Sequence, residues 1–229
     1  MASPRESDLA QCGILINTFL RTENLKTILE TCYSCGIRDF YIFVDGSSKK
    51  SDYEEDPQLT ITSTVKKWAD LKSNIDVHFA ISSKNLGCSG SLLRGIDWIS
   101  SKTYFFIVLE DDCIPSPDFF KFAGDCFPII NNRDDVMLFG GSQPVPPSIT
   151  ANQNYLSKYS MTWGWGTSSE KWATLRNLIL SHNKNRKKFL GISITEKVYW
   201  LAGFRRAIEG YTGGWDTVLC KVILENGFL

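Results

Sequence analysis

The chain has 229 residues, 43% of them hydrophobic and 22% charged, with Lys plus Arg and Asp plus Glu equal at 25 each. That size and apolar content specify a single globular domain with a continuous core and exclude a disordered chain. The charge balance excludes a nucleic-acid footprint or a strongly charged membrane face, and the longest apolar runs are too short to span a bilayer. Met1-Ala2-Ser3-Pro4-Arg5-Glu6 carries no apolar signal region. Seven cysteines, an odd number scattered along the chain, fit a reduced, cytoplasmic protein. Cys32 and Cys35 are spaced C-x-x-C without a second pair or a suitable histidine, so they read as helix-end packing residues.

Cys12 to Ile16 reads as a first buried strand, left by the loop Asn17-Thr18-Phe19-Leu20-Arg21. Thr22 is placed to cap a helix in which Leu25, Ile28, Leu29 and Cys32 recur at helical spacing, and Gly36 is placed to stop it. Phe40 to Val44 is a second strand ending in Asp45-Gly46-Ser47-Ser48. Strand, helix and strand in that order make a βαβ unit with parallel strands. A polar surface loop over 49–57 leads to a helix over Thr60 to Leu71, with Val65, Trp68, Ala69 and Leu71 inward. Ile75 to Ile81 alternates as a third strand with His78 on its polar side, a surface residue. The small-residue loop Asn85 to Ser91 then opens a helix with Leu92, Leu93, Ile96 and Ile99 inward.

Tyr104 to Leu109 is an apolar run rich in aromatic and β-branched residues, the pattern of a strand buried on both faces. It ends in Glu110-Asp111-Asp112. Ser116 can cap the next helix, Pro117 suits its first position and Asp118 its first turn, with Phe119, Phe122, Ala123, Cys126, Phe127 and Ile130 inward. Val136 to Phe139 is a further strand. Pro144, Pro146 and Pro147 mark a crossing between a nucleotide-binding half, residues 10–142, and an acceptor-side half, residues 143–229. Tyr159 to Thr162 reads as an edge strand, followed by Trp163-Gly164-Trp165-Gly166 and a helix capped at Ser168 with Trp172, Leu175 and Ile179. Lys184 to Lys188 holds four basic residues, either a solvated face or a contact for an anionic headgroup. The last helix starts near Trp215 with Val218, Leu219, Val222 and Ile223 inward.

Parallel strands place their carboxyl ends on one edge, so the Arg21 loop, Asp45-Gly46-Ser47 and Glu110-Asp111-Asp112 line up there. Three adjacent carboxylates repel one another and call for a cation. A divalent ion at Asp112 can bridge the phosphates of a nucleotide diphosphate, which Arg21 can grip with its planar guanidinium. Asp45 can accept from a base imide or a ribose hydroxyl. The plainer alternative is an acidic strand end that is merely solvated. The metal reading carries a condition: the carboxylates must face a cleft and not be locked in ion pairs with Lys or Arg. There is no G-x-x-x-x-G-K-[ST] and no G-x-G-x-x-G after the first strand, which excludes Walker-type ATPases and dinucleotide dehydrogenases.

Over residues 13–225 the ordered set of Arg21, Asp45-Gly46, Glu110-Asp111-Asp112, Ser116-Pro117-Asp118-Phe119-Phe120, Gly164-Trp165-Gly166 and Trp215-Asp216 resembles nucleotide-sugar glycosyltransferases of the GT-A fold. It is most similar to the branch of the N-acetylglucosaminyltransferase that initiates complex N-glycans, with its bacterial relatives. The resemblance implies an α/β, GT-A type, doubly wound and mostly parallel Rossmann-like sheet flanked by helices, with an acceptor-side extension. It implies Mn2+ or Mg2+ and a UDP-sugar donor, with Asp112 the direct metal ligand and Asp111 beside it. Glu110 and Asp111 would place ribose, water or donor sugar, Asp45 and Gly46 would sit at the uracil, and Arg21 near the phosphates or base.

Trp163 and Trp165 look like the acceptor-side segment, where Trp faces stack on sugar rings, and they read equally as core residues beside a turn. Asp216 looks like the catalytic base of inverting members, and an Asp at a helix start is also an ordinary first-turn residue. Arg94 matches a basic position common in GT-A sequences and is a weaker candidate for the donor. The partners implied are a nucleotide-sugar donor and a glycan or lipid-linked sugar acceptor, with no nucleic acid and at most peripheral membrane contact. A sugar nucleotidyltransferase and a non-catalytic nucleotide- or carbohydrate-binding domain are the competing readings. Relatives usually continue into a strand and a loop that closes over the diphosphate. This chain stops at Glu225 to Leu229, as a short natural chain or as a fragment lacking that segment, and His182 sits in a polar helix end.

Overall fold

A computed structural model of the chain describes residues 11–47, 56–146, 153–181, 192–208 and 214–229, together with Leu9 and Ser148. The readings placed on residues 49–55, Pro147, His182, Lys184 to Lys188 and Gly213 lie outside the described residues. The chain forms β1 (Cys12–Thr18), α1 (Leu25–Ser34), β2 (Asp39–Val44), α2 (Pro57–Ala69), β3 (Asp76–Ile81), α3 (Gly87–Ser100) and β4 (Phe105–Glu110). It continues through α4 (Pro117–Asn132), β5 (Phe139–Gly140), β6 (Trp165–Ser168), α5 (Ser169–Ser181), α6 (Ile194–Ile208) and α7 (Trp215–Asn226).

The six strands make one sheet in the order β3-β2-β1-β4-β6-β5. β3, β2, β1 and β4 run parallel, while β6 is antiparallel to both β4 and β5. The chain winds outward from β1 to β3, then returns to the other side of β1 to lay down β4. That reversal makes a topological switch point, and its crevice opens at the carboxyl ends of β1 and β4. The register sets Asn17 of β1 beside Glu110 of β4, so the loop carrying Arg21 and the acidic run leave the sheet side by side.

Strand alternation divides the core. Ile14, Ile16, Ile107 and Leu109 face a cluster with α1, α2 and α4, while Leu15, Phe106 and Val108 face another with α3, α5 and α7. Both faces of the central strands are thereby covered, which is why they read as unbroken apolar runs. Each such side chain removed from water contributes about 1.5–3 kcal/mol. No helix among the described residues is long and apolar enough to cross a membrane. All seven cysteines are free; Cys32 is buried and Cys35 partly buried at the end of α1, and burial pushes both thiols up.

Four elements differ from the sequence expectation. α1 begins at Leu25 behind Asn24, which makes no side-chain cap, and Thr22 contributes only its carbonyl to Leu25 N–H at 3.2 Å. α2 begins at Pro57, because the Asp56 carboxylate accepts from Gln58 N–H at 3.0 Å and Pro57 fits the first position. It ends at Ala69, leaving Leu71 81% exposed beyond it. The strand expected at Val136 to Phe139 is two residues long, since Met137 N–H bonds the carbonyl of Leu229 at 2.8 Å instead. The edge strand expected at Tyr159 to Thr162 is absent, and Trp165–Ser168 instead enters the sheet between β4 and the edge strand β5. Gly166 makes this possible, since a Cβ there would sit 2.4 Å from the Phe139 ring.

Candidate active site at the β1–β4 switch point

Beyond Glu110 the strand geometry stops, and the next two carboxylates part company. Asp111 turns into the protein and is 4% exposed. Its Oδ2 accepts from Thr18 Oγ1 and Phe19 N–H, each at 3.2 Å, and its Oδ1 pairs with Arg21 Nη2 at 2.9 Å. Asp111 therefore stitches the β1–α1 loop to the end of β4. Burial raises its pKa in spite of these donors. Asp112 turns outward, with a side chain 54% exposed, and its Oδ2 lies 3.3 Å from Arg21 Nη1. The condition set by the sequence is thus failed at Asp111, which is locked inside and is not offered to a cation in the cleft. It is met in part at Asp112, whose single contact with Arg21 is long and wet.

Glu110 is half-buried, and its pKa is raised first by desolvation, then by Asp112 and Asp111, against the opposing pull of Arg21. Asp216 adds to the same upward push, although it lies more than a hundred residues away in the chain. It sits exposed in the first turn of α7, with Oδ1 accepting from Thr217 N–H at 2.7 Å. The thiol of Cys88, exposed in the first turn of α3, is raised first by desolvation and then by Glu110, Asp216 and Asp112. The acidic groups at the end of β4 and the start of α7 thus act in the same direction on Glu110 and on Cys88, both of which are raised first by burial.

Asp45 does something other than expected. It is buried, both its oxygens accept from Leu86 N–H at 3.0 and 3.1 Å, and Oδ1 also takes Gly46 N–H at 2.8 Å. It pins the loop before α3 to the end of β2 and does not present its carboxylate to a base. A Cβ on Gly46 would lie 2.2 Å from the Lys84 carbonyl carbon, so only glycine allows these two loops to touch. Gly46→Ala is expected to cost about 1–3 kcal/mol of stability through that overlap, read as a shift in the denaturant midpoint at unchanged slope. Wild-type stability in the variant would show the loop contact to be dispensable.

The two tryptophans separate as well. Trp165 is wholly buried in β6, with ring centroids 6.2 Å from Trp172 and 5.9 Å from Trp215, so it offers no face to a sugar. Trp163 is 71% exposed and lines a cleft of about 570 Å³ with Asp112, Ile114, Phe119, Ser142 and Gly164. The cleft wall is held by Gly141 N–H donating to the Gly164 carbonyl at 2.6 Å and by Ser142 Oγ donating to the Trp163 carbonyl at 3.0 Å. Gly164 has φ +65, a conformation glycine adopts without strain. Arg94 is on the exposed face of α3, seven residues and about 10 Å along the axis from the helix start. The sequence reading missed Thr18 and Asn24, whose Nδ2 reaches the Asp111 carbonyl at 3.5 Å, because β1 runs two residues beyond Ile16.

No family model and no curated protein matches the chain. Among solved structures, the mannosyltransferase PcManGT from Pyrobaculum calidifontis, in complex with GDP-Man and Mn2+, superposes with a TM-score of 0.51 at 10% identity. The superposition covers 72% of this chain and 46% of that one, so this chain spans less than half of the mannosyltransferase. UDP-glucose pyrophosphorylase from Acinetobacter baumannii aligns at a TM-score of 0.40 and 14% identity, over 84% of this chain and 82% of that one. The mannosyltransferase likeness shows the fold, a mostly parallel α/β sheet of the kind nucleotide-sugar enzymes use, and at 10% identity it shows no more. The pyrophosphorylase likeness is too loose to argue from.

Proposed function

We propose that the protein is a metal-dependent glycosyltransferase that moves a sugar from a nucleoside diphosphate sugar, a UDP-sugar by the sequence resemblance, to a hydroxyl of a glycan or lipid-linked acceptor. The observation that carries this reading is Asp112, outward-facing at the carboxyl end of β4, on the wall of a cleft that it shares with the exposed Trp163.

Among the described residues no three His, Cys, Asp or Glu side chains converge into a metal cage. Mg2+ and similar hard cations need only one or two carboxylates when phosphate oxygens and water complete the shell. Asp112, outward-facing and bordering the cleft, fits that role, so the residues suit a cation that arrives with a diphosphate and do not suit an all-protein site. Such a cation supplies Lewis-acid stabilisation of the departing diphosphate. Arg21, 60% exposed, adds a planar fork for phosphate oxygens. Trp163 gives the acceptor ring an apolar face. Asp216 takes the proton from the acceptor hydroxyl as it attacks the anomeric carbon, and a base acting opposite the leaving group gives inversion.

One observation favours a non-catalytic binding domain: Arg21 already contacts both Asp111 and Asp112. A nucleotidyltransferase has less support, since the Asn17 to Arg21 loop lacks glycines and carries one basic residue. Calorimetric titration with UDP, with and without Mn2+, tests the proposal. Binding that requires the metal supports it, and metal-independent or absent binding by the folded chain rejects it. Release of UDP from a UDP-sugar then excludes the inert reading.

A further inference from the structure

One guanidinium spans two carboxylates that point in different directions. Arg21 Nη2 meets Asp111 Oδ1 at 2.9 Å on the buried side, and Nη1 meets Asp112 Oδ2 at 3.3 Å on the wet side. Among the described residues the guanidinium has no third partner, while Thr18 Oγ1 lies within reach of both the Arg21 carbonyl at 3.3 Å and Asp111 Oδ2 at 3.2 Å and shares its one proton between them. The two contacts are unequal. The Asp111 contact is short and its carboxylate is buried, whereas the Asp112 contact is long and open to solvent, where such pairs are weak. The guanidinium can therefore swing about Asp111 and let Asp112 go without leaving the cluster.

We propose that Arg21 is the resident counter-ion of Asp112, holding off a divalent cation until a nucleoside diphosphate draws the guanidinium away, so that metal and nucleotide bind in concert. This rests on the function proposed above and adds an order of events to it. The Oδ2 atom that accepts Nη1–H cannot at the same moment face a divalent ion, because two cations a few ångströms apart repel strongly. A diphosphate offers the planar fork a more highly charged, bidentate partner than one solvated carboxylate. It also brings oxygens to complete the shell of the ion that replaces the guanidinium. Mere neutralisation of the cluster by Arg21 would not predict this coupling; displacement does.

The test is Mn2+ binding to the full chain, read by electron paramagnetic resonance of the free ion, for wild type, R21Q and R21K, with and without UDP. R21Q removes the cation and exposes Asp111 to a loss of stability, so folding is checked by circular dichroism. R21K keeps a charge for Asp111 but lacks the fork that reaches Asp112. Without UDP, both variants are expected to bind Mn2+ about three- to tenfold more tightly than wild type. UDP is expected to raise the Mn2+ affinity of wild type by a larger factor than that of either variant. Equal Mn2+ affinities without UDP overturn the counter-ion role, as does tighter binding by R21Q alone, which would report bulk charge and not contact. A wild-type protein that takes up no Mn2+ even with UDP overturns the glycosyltransferase reading as well, so the two failures are distinguishable.

Discussion

Asp112→Ala is expected to remove the metal-dependent part of UDP binding and to lower UDP affinity in the presence of Mn2+ by about 100-fold, roughly 2.7 kcal/mol. The effect is large because the other carboxylates of the cluster cannot take over. Asp111 is spent on Thr18, Phe19 and Arg21 inside the protein, and Glu110 is half-buried with its ionisation already opposed by burial and by its neighbours. Stability should change little, since Asp112 is exposed and its one cationic contact is of the weak, solvated kind. Asp111→Asn should behave in the opposite way. It keeps the shape but puts an amide donor where one carboxylate oxygen accepted from Thr18 and Phe19 or paired with Arg21, so a buried junction is mismatched and the melting temperature falls by several degrees before binding is considered. Calorimetry and a melting curve on the two variants give a crossed pattern. If Asp112→Ala binds UDP with Mn2+ as well as wild type does, the metal assignment is wrong.

Much of the fold was legible because the central strands are buried on both faces and announce themselves as unbroken apolar runs. The helices packed on them carry their apolar residues at helical spacing. α4 is the clearest case: Ser116 accepts from Phe119 N–H, Pro117 opens the helix, and the expected face is inward. β6 was not legible. It has four residues, a glycine among them, and its place between β4 and β5 is set by the Phe139 and Phe106 surfaces closing over Gly166. Nothing local in Trp165-Gly166-Thr167-Ser168 says strand; the long-range packing does. The same holds for Val136 to Leu138, whose hydrogen bonds go in part to the last residue of the chain.

The adjacency of the strand ends at the candidate site was legible, and the orientations of its side chains were less so. Three acids after a buried strand locate the crevice, since topology alone brings the ends of β1 and β4 together. Which acid faces outward is a separate matter. The period of two that orients side chains along a strand ends at Glu110, and the direction of Asp111 is then fixed by donors 92 and 93 residues away, Phe19 and Thr18. Asp45 is turned by Leu86 N–H, 41 residues away, in the same manner. Trp163 and Trp165 are two residues apart, yet the first lies before β6 and the second inside it, which leaves one exposed and the other buried. Residue type told which groups stand at the strand ends; the partners that aim them are distant in sequence.

Asp216→Asn is expected to lower the turnover of sugar transfer by about 10²–10⁴-fold, the usual contribution of a positioned general base. Donor affinity should move by no more than about threefold, because the lost charge is exposed and its effect on the cluster is screened. Thr217 N–H occupies Oδ1 at 2.7 Å, which orients the carboxylate and leaves the other oxygen for an acceptor hydroxyl. The competing explanation is that Asp216 only favours the start of α7, where a carboxylate near the helix amino end contributes about 0.3–1 kcal/mol. On that account the Asn variant melts slightly earlier and turns over normally. Asn keeps the shape and an oxygen that can accept from Thr217, but it cannot take a proton, so chemistry and packing are separated in one substitution. Rates measured with saturating donor and acceptor decide between them: a lowered kcat with donor KM held marks Asp216 as the base, and an unaltered kcat assigns proton removal to another group.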